Sequence, residues 1–299
     1  MEIISIYTIH EGAGDTAAKV LIMITAVKSS FKYAVRNYVK PILPASLYSS
    51  LHNTYHFRNK IRKRRAEQKL RQAFLSHPMI QIDPSDRKVL LKQIDFINQH
   101  VECPHTLDQI LVYITHILSL PDESEGVVVE AGCFKGGSSS KFSLAAQHMN
   151  RTFVIFDSFQ GIPNNQEAHD VNIFGGPAGF AEGDYAGSLP EVKGNISQYG
   201  AIECCEFVEG WFDDTLPHFQ KPIDCIYLDV DLVSSTKTCL KYLYPLLRPG
   251  GSLFSQDGHL PLVIELFDDD QFWQDELGVA KPRMIGLRTN KLIQVIKAT

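Results

Sequence analysis

Val127-Val128-Val129-Glu130-Ala131-Gly132-Cys133-Phe134-Lys135-Gly136-Gly137-Ser138 is the stretch whose reading decides the fold. An apolar run ends in a glycine-bearing turn, and a helical pattern follows at 137–149. Glycines there let the backbone turn tightly and approach a ligand at the start of the helix. Further strand-like runs at 152–157, 203–209, 225–229 and 252–256 join the first, 126–130, and helical patterns at 188–198, 234–247 and 261–277 fit between them. Two last β-rich runs, 283–287 and 291–296, predict a terminal hairpin around Thr289-Asn290. Near-continuously apolar strands separated by helices mean a parallel sheet covered on both faces. The expected fold class is therefore α/β, doubly wound and Rossmann-like.

Upstream the texture differs. In 17–40, Val20, Ile24, Val27, Phe31, Val35 and Tyr38 recur at helical spacing beside Lys28, Lys32, Arg36 and Lys40, until Pro41 and Pro44 end the pattern. A second helix is expected from Ala45 to about Leu75, with eight cations between Arg58 and Arg71, closed by Pro78. Pro84-Ser85-Asp86 opens a helix facing inward through Leu90, Ile94, Ile97 and Val101. Thr106 caps another that turns Leu107, Ile110, Leu111, Ile114, Ile117 and Leu118 inward. These boundaries divide the chain into a basic helical N-terminal extension, 1–84, and a catalytic domain, 85–299.

Charge follows the same division. Residues 1–72 hold 13 Lys and Arg against 4 Asp and Glu, and the remainder 16 against 30. The overall charge of −5 argues against a dedicated nucleic-acid binder. An amphipathic basic helix has two readings: a cap that packs on the catalytic domain or builds a homodimer, or a peripheral contact with an anionic membrane surface. The apolar run 17–27 contains Lys19 and is too short to span a bilayer. The start, Met-Glu-Ile-Ile-Ser, lacks the basic region of a signal peptide. Six cysteines, at 103, 133, 204, 205, 225 and 239, fit neither a zinc spacing nor a secreted framework and read as free thiols. The expected location is cytoplasmic, with the inner face of the membrane as the peripheral alternative.

In a doubly wound sheet the ligand lies beyond the carboxyl ends of the strands. The first strand ends at Glu130, whose carboxylate would repel a dinucleotide pyrophosphate and suit a cationic ligand such as S-adenosylmethionine. The second ends at Asp157, which can accept hydrogen bonds from ribose hydroxyls. After the third come Trp211 and Phe212, which read either as flanks of an adenine ring or as core. The fourth leads to Asp229-Val230-Asp231 and the fifth to Gln256-Asp257-Gly258-His259. Oxygen ligands from adjacent strand ends can converge on a hard cation such as magnesium. The Gly-rich segment between Pro163 and Ser188, which contains His169, reads as a lid.

At this point the chain resembles the macrocin-type O-methyltransferases, which methylate sugar hydroxyls on macrolides and related natural products. The resemblance rests on five blocks in register: 129–137, 156–163 (Phe-Asp-Ser-Phe-Gln-Gly-Ile-Pro), 210–217 (Gly-Trp-Phe-Asp-Asp-Thr-Leu-Pro), 228–236 (Leu-Asp-Val-Asp-Leu-Val-Ser-Ser-Thr) and 243–251 (Leu-Tyr-Pro-Leu-Leu-Arg-Pro-Gly-Gly). It implies a class I methyltransferase fold with a mostly parallel seven-stranded sheet, S-adenosyl-L-methionine as donor and, in many members, Mg2+. It implies Glu130, Gly132 and Gly136 around the methionine moiety, Asp157 with Ser158 at the ribose, and Trp211 and Phe212 by the adenine. The metal set would be Asp229, Gln256 and Asp257. Here the chain departs from the family, whose fifth strand is followed by Asp-Asp, and a neutral amide is the weaker ligand for a hard cation.

The expected chemistry is in-line attack of an acceptor hydroxyl, on a small molecule or glycan, upon the sulfonium methyl. Alignment and proton removal are the enzyme's main contributions. Asp229 is the first candidate for base or metal ligand, with His169 and His259 behind it. Two rivals stand: a relative that binds S-adenosylmethionine without metal-dependent catalysis, kept open by Gln256, and a nicotinamide-dependent oxidoreductase. Glu130 and the missing Gly-x-Gly-x-x-Gly weigh against the oxidoreductase.

Overall fold

A computed structural model describes residues 45–167 and 171–298. The helical stripe at 17–40 and His169 lie outside the described residues. The chain divides into two units, Met1–Arg64 and Arg65–Thr299. In the first, the described residues 45–64 are helical. All that follows concerns the second.

Helix α1 covers Ala45–Leu75, as its pattern predicts. The carbonyl of its last residue, Leu75, and three carbonyls of the connection that follows are met by Arg87 from α2 (Pro84–His100), only 8% exposed. The Arg87 guanidinium donates to the carbonyls of Leu75, His77, Ile80 and Ile82 at 2.7–3.0 Å, which places a cation at a helix C-terminus where its charge is favoured. Arg71 forks onto both oxygens of Asp95 and ties α1 to α2. Helix α3 (Leu107–Ile117) buries Ile110, Leu111, Ile114 and Ile117, the face its spacing predicts, together with Tyr113.

Seven strands form one sheet: β1 (Val127–Ala131), β2 (Phe153–Asp157), β3 (Cys205–Glu209), β4 (Ile223–Leu228), β5 (Leu247–Ser255), β6 (Arg283–Ile285) and β7 (Ile293–Ile296). Their order is β3-β2-β1-β4-β5-β7-β6. The first five are parallel, and β7 enters antiparallel between β5 and β6. This is the seven-stranded, mostly parallel sheet of a class I methyltransferase. Helices α4 (Gly137–His148), α5 (Leu189–Tyr199), α6 (Phe212–Thr215), α7 (Val233–Leu243) and α8 (Pro261–Asp268) follow successive strands. Alternate strand residues feed two cores: Val128, Phe153, Ile155, Cys225 and Tyr227 in one, Val129, Val154, Phe156, Ile226 and Leu228 in the other.

Register places the site. Ala131 pairs with Phe156 and Leu228, and Leu228 pairs with Ser255. The residues that follow, Gly132, Asp157, Asp229 and Gln256, therefore emerge at one level on the carboxyl edge, around the reversal of strand order between β1 and β4.

Two elements differ from expectation. Strand β5 starts at Leu247, five residues early, because Ile223 pairs with Leu247 while Cys225 pairs with Ser252. Arg248-Pro249-Gly250-Gly251 bulges out between those pairs, the residue types that a ladder interior excludes. The helix expected at 261–277 stops at Asp268, and a separate turn covers Phe272–Glu276. Asp269 accepts from the Gln271 N–H at 2.9 Å, and Asp268 is drawn off to Lys281 and Arg288. Short acidic side chains that bond nearby backbone compete with the helix.

Candidate active site

One cleft opens at the carboxyl edge, lined jointly by Gly132, Asp157, Ser158, Trp211, Phe212 and Asp229. Gly132 has φ +83°, and a Cβ there would stand 2.0 Å from the Asp229 carbonyl oxygen, so β1 and β4 can leave the sheet this close only with glycine. The Asp157 carboxylate accepts from the Cys133 N–H and the Phe159 N–H, both at 2.7 Å. Burial raises its pKa, against the lowering effect of those backbone donors. The carboxylate is thus held rigidly, with lone pairs left for a ligand hydroxyl. Trp211 and Phe212 open α6 at the end of β3, and Ser158 lies beside Asp157.

Glu130 and Gly136 sit behind this surface. Glu130 is fully buried, with one carboxylate oxygen accepting from Ser139 Oγ and the other, Oε1, buried without a hydrogen-bond partner. Burial pushes its pKa up to about 8, although the Ser139 and Ser138 hydroxyls act in the opposite sense. Gly136, at φ +78°, turns the chain into α4 against Val192.

Beyond Asp157 lies an acidic cluster. One carboxylate oxygen from each of Asp229, Asp231 and Asp257 lies within 4.8 Å of the others. Asp257 accepts from the N–H groups of Val230 and Asp231 at 3.1 Å through Oδ2, while Oδ1 is buried with no hydrogen-bond partner. Burial first and Asp229 second raise the Asp257 pKa to about 7. Asp231, which adopts φ +58°, is held well above the ordinary range by burial, Asp257 and Asp229. For Asp229, burial would raise the pKa, but His105, with Lys291 and His259, keeps it below its usual value. Three carboxylates from adjacent strand ends, one of which has a buried oxygen without a partner, are a donor set that fits a hard divalent cation.

The third carboxylate is Asp231, not Gln256. Gln256 is fully buried and both ends of its amide are engaged: Tyr227 OH donates to Oε1 at 3.2 Å, and Nε2 lies 3.0 Å from His105 Nδ1. His105 Nε2 in turn lies 3.0 Å from Asp229 Oδ2. Sequence reasoning missed both His105 and Asp231. Asp231 had a signal, an Asp-x-Asp at a strand end. His105 had only the Thr106 cap: the Thr106 N–H donates to the Gln109 side chain at 2.9 Å, which pins the residue before it.

The segment expected as a structureless lid is anchored turn by turn. Glu167 accepts from the N–H groups of Val233 and Ser234 at 2.7 and 2.9 Å, at the N-terminus of α7. The Ile173 N–H donates to the carbonyl of His259 at 3.0 Å, and Ile162 and Gly183 exchange bonds with Asp184 and Ile162. Tyr185, at φ +56°, lines the cleft and meets Phe134 edge-on at 5.6 Å. Among the described residues no helix is long and apolar enough to cross a membrane.

Comparison with known proteins gives one family, two curated relatives and a solved structure. The family described as Macrocin-O-methyltransferase (TylF) matches residues 101–274. The chain is 35% identical over 147 residues, 46% of its own length and 55% of the relative's, to the Streptomyces olivaceus 8-demethyl-8-(2,3-dimethoxy-alpha-L-rhamnosyl)-tetracenomycin-C 4'-O-methyltransferase. It is 35% identical over 143 residues, 44% and 52% of the two chains, to the demethyldecarbamoylnovobiocin O-methyltransferase of Streptomyces niveus. The chain thus spans about half the length of the curated relatives it matches. The solved structure of the calicheamicin methyltransferase CalS11 shares the fold at a TM-score of 0.50, with 19% identity over 77% of this chain and 90% of that one.

Proposed function

The chain belongs to the macrocin O-methyltransferase family, and from that premise we propose that it transfers a methyl group from S-adenosylmethionine to a hydroxyl. The acceptor we infer is a sugar carried by a small natural product, the kind of molecule named for its Streptomyces relatives. The observation that carries this reading is one cleft lined by Asp157, Asp229 and Asp231, with the fully buried Asp257 bringing a carboxylate oxygen within 4.8 Å of the last two.

In the proposed reaction the acceptor oxygen forms a bond to the methyl carbon while the carbon–sulfur bond breaks, its electron pair leaving with sulfur. The hydroxyl proton passes to the acidic cluster. Asp157, with Ser158 beside it, would take the ribose, Trp211 and Phe212 the adenine, and Gly132 the close approach of the methionine end. A divalent cation held by Asp229, Asp231 and Asp257 would supply positive charge that acidifies the acceptor hydroxyl. The chain's own part is alignment and exclusion of water under the anchored lid. We place the catalytic domain at 85–299, with 1–84 as a basic extension.

Calorimetric titration with S-adenosylhomocysteine, in magnesium and then in EDTA, tests the donor. Micromolar binding is expected, and its absence would remove the central claim. Asp229→Ala should bind the donor product as the wild type does and lose methyl transfer. Full turnover in that variant would sink the assignment of the cluster.

A further inference from the structure

Cys204 and Cys205 stand side by side at the start of β3, and methyl transfer uses neither. Adjacent side chains within a strand point to opposite faces. Here Cys204 closes a short helical turn, Ile202–Cys204, and Cys205 opens β3, so both sulfurs swing to one side. They lie 3.2 and 3.3 Å from the same acceptor, the carbonyl oxygen of Ala201, and share a hydrogen bond with each other. Cys204 also approaches the Ser143 carbonyl of α4 at 3.4 Å. Both cysteines are free and partly exposed, on the strand that ends the sheet. Cys205 pairs with Phe153 at the foot of β3, whereas Glu209 pairs with Asp157 at the cleft end. The two thiols are thus set apart from the methyl-transfer cleft.

We propose that Cys204 and Cys205 form a binding site for a soft thiophilic centre, trivalent arsenic, which both sulfurs ligate at once. Geometry selects this occupant. A direct disulfide between the two is strained, because neighbouring Cα atoms stand about 3.8 Å apart while disulfides usually need roughly 4.4–6.8 Å. An atom inserted between the sulfurs relieves that strain. Structural zinc asks for four ligands, and among the described residues only the aspartate cluster brings three or more ligand groups together. A linear two-coordinate ion would drive the sulfurs apart. Trivalent arsenic bonds them at a bent angle, which suits sulfurs already within hydrogen-bonding reach, and thiolates are the ligands that soft centres prefer. The bond from Cys205 holds the Cys204 pKa below its ordinary value, against the effect of burial, and the same bond, with burial second, raises Cys205. Cys204 therefore supplies the thiolate that attacks first. With an arsenoxide, R–As=O, two As–S bonds form and two S–H bonds break, and both protons leave with the oxygen as water. Arsenic stays trivalent throughout, so no oxidant is consumed.

Phenylarsine oxide, added to the native full chain in the presence of excess 2-mercaptoethanol, tests the site by intact mass. A single phenylarsenic unit, less two hydrogens, should add to each chain, resist the monothiol and come off with dimercaptopropanol. Cys204→Ser and Cys205→Ser should each abolish the adduct, and Cys103→Ser, at the other partly exposed cysteine, should keep it. A serine hydroxyl can still donate to the Ala201 carbonyl, so both variants should fold, which an unchanged thermal unfolding midpoint checks. Absence of the adduct from the native chain would overturn the proposal, and so would an adduct that forms only after unfolding in urea. Survival of the adduct in either Cys204→Ser or Cys205→Ser, or its loss in Cys103→Ser, would do the same.

Discussion

Gln256 lies 3.0 Å from His105 through its amide nitrogen, and its amide oxygen accepts from Tyr227 OH. With Tyr227 OH donating to the amide oxygen, the amide turns its N–H toward the ring. Nδ1 is then the acceptor nitrogen, and Nε2 carries the hydrogen that faces Asp229 Oδ2. Both ring nitrogens are occupied, which makes His105 a positioning residue for Asp229 and leaves it no lone pair for substrate. His105→Ala should lower kcat at least about tenfold with the affinity for S-adenosylhomocysteine unchanged, because only the acceptor side of the cleft loses its order. Gln256→Ala should reproduce part of this loss, and the double variant should be no worse than His105→Ala alone, a coupling of about 1 kcal/mol or more. Additive losses in that cycle would break the relay.

Legibility follows the same boundary between local and distant. Strand runs, the glycine turn and the Thr106 cap are written in neighbouring residues, and α1, α3 and the terminal hairpin form where those signals stand. The helix break after Asp268 had its signal in three consecutive aspartates, outweighed by apolar spacing on either side. His105 had none of its own, since its partners are 124 and 151 residues away in sequence and meet it only through the sheet. The lid shows the same limit, because glycine content predicts a long loop but not its anchors. Glu167 accepts three bonds from Val233 and Ser234, joining the lid to the helix that follows the Asp229 and Asp231 loop. A carboxylate at a helix N-terminus is worth about 0.3–1 kcal/mol. Glu167→Ala should therefore lower the melting temperature only slightly. Amide exchange within 163–188 should accelerate, and the acceptor KM should rise more than kcat falls. Unchanged exchange in that segment would show that the lid is held elsewhere.

For the whole molecule, the buried acids set a pH dependence opposite to that of most proteins. Glu130 is raised from 4.5 to about 8 and Asp257 from 3.8 to about 7, in both cases chiefly by burial. A raised carboxyl binds its proton more tightly folded than unfolded. Its stabilising effect is therefore complete below the unfolded pKa and drains away as pH rises toward the folded one. His116 acts in the other direction, since burial lowers its pKa from 6.5 to about 4 and it favours the native state increasingly as pH rises across that interval. The two effects oppose each other below pH 6.5, and the acids stand alone from about 6.5 to 8. Stability of the metal-free protein should fall across that window, by at most about 1.4 kcal/mol per pH unit for each group still titrating. Magnesium should offset the loss more at pH 8 than at pH 6, because a cation binds the deprotonated cluster and leaves the protonated one alone. Glu130→Gln should flatten the slope yet keep the magnesium effect, whereas Asp257→Asn should abolish that effect. Thermal unfolding of the three proteins at pH 6, 7 and 8, with magnesium and with EDTA, separates these outcomes. A wild-type melting temperature that climbs from pH 6.5 to 8 in EDTA would mean that Glu130 and Asp257 are already ionised in the native state.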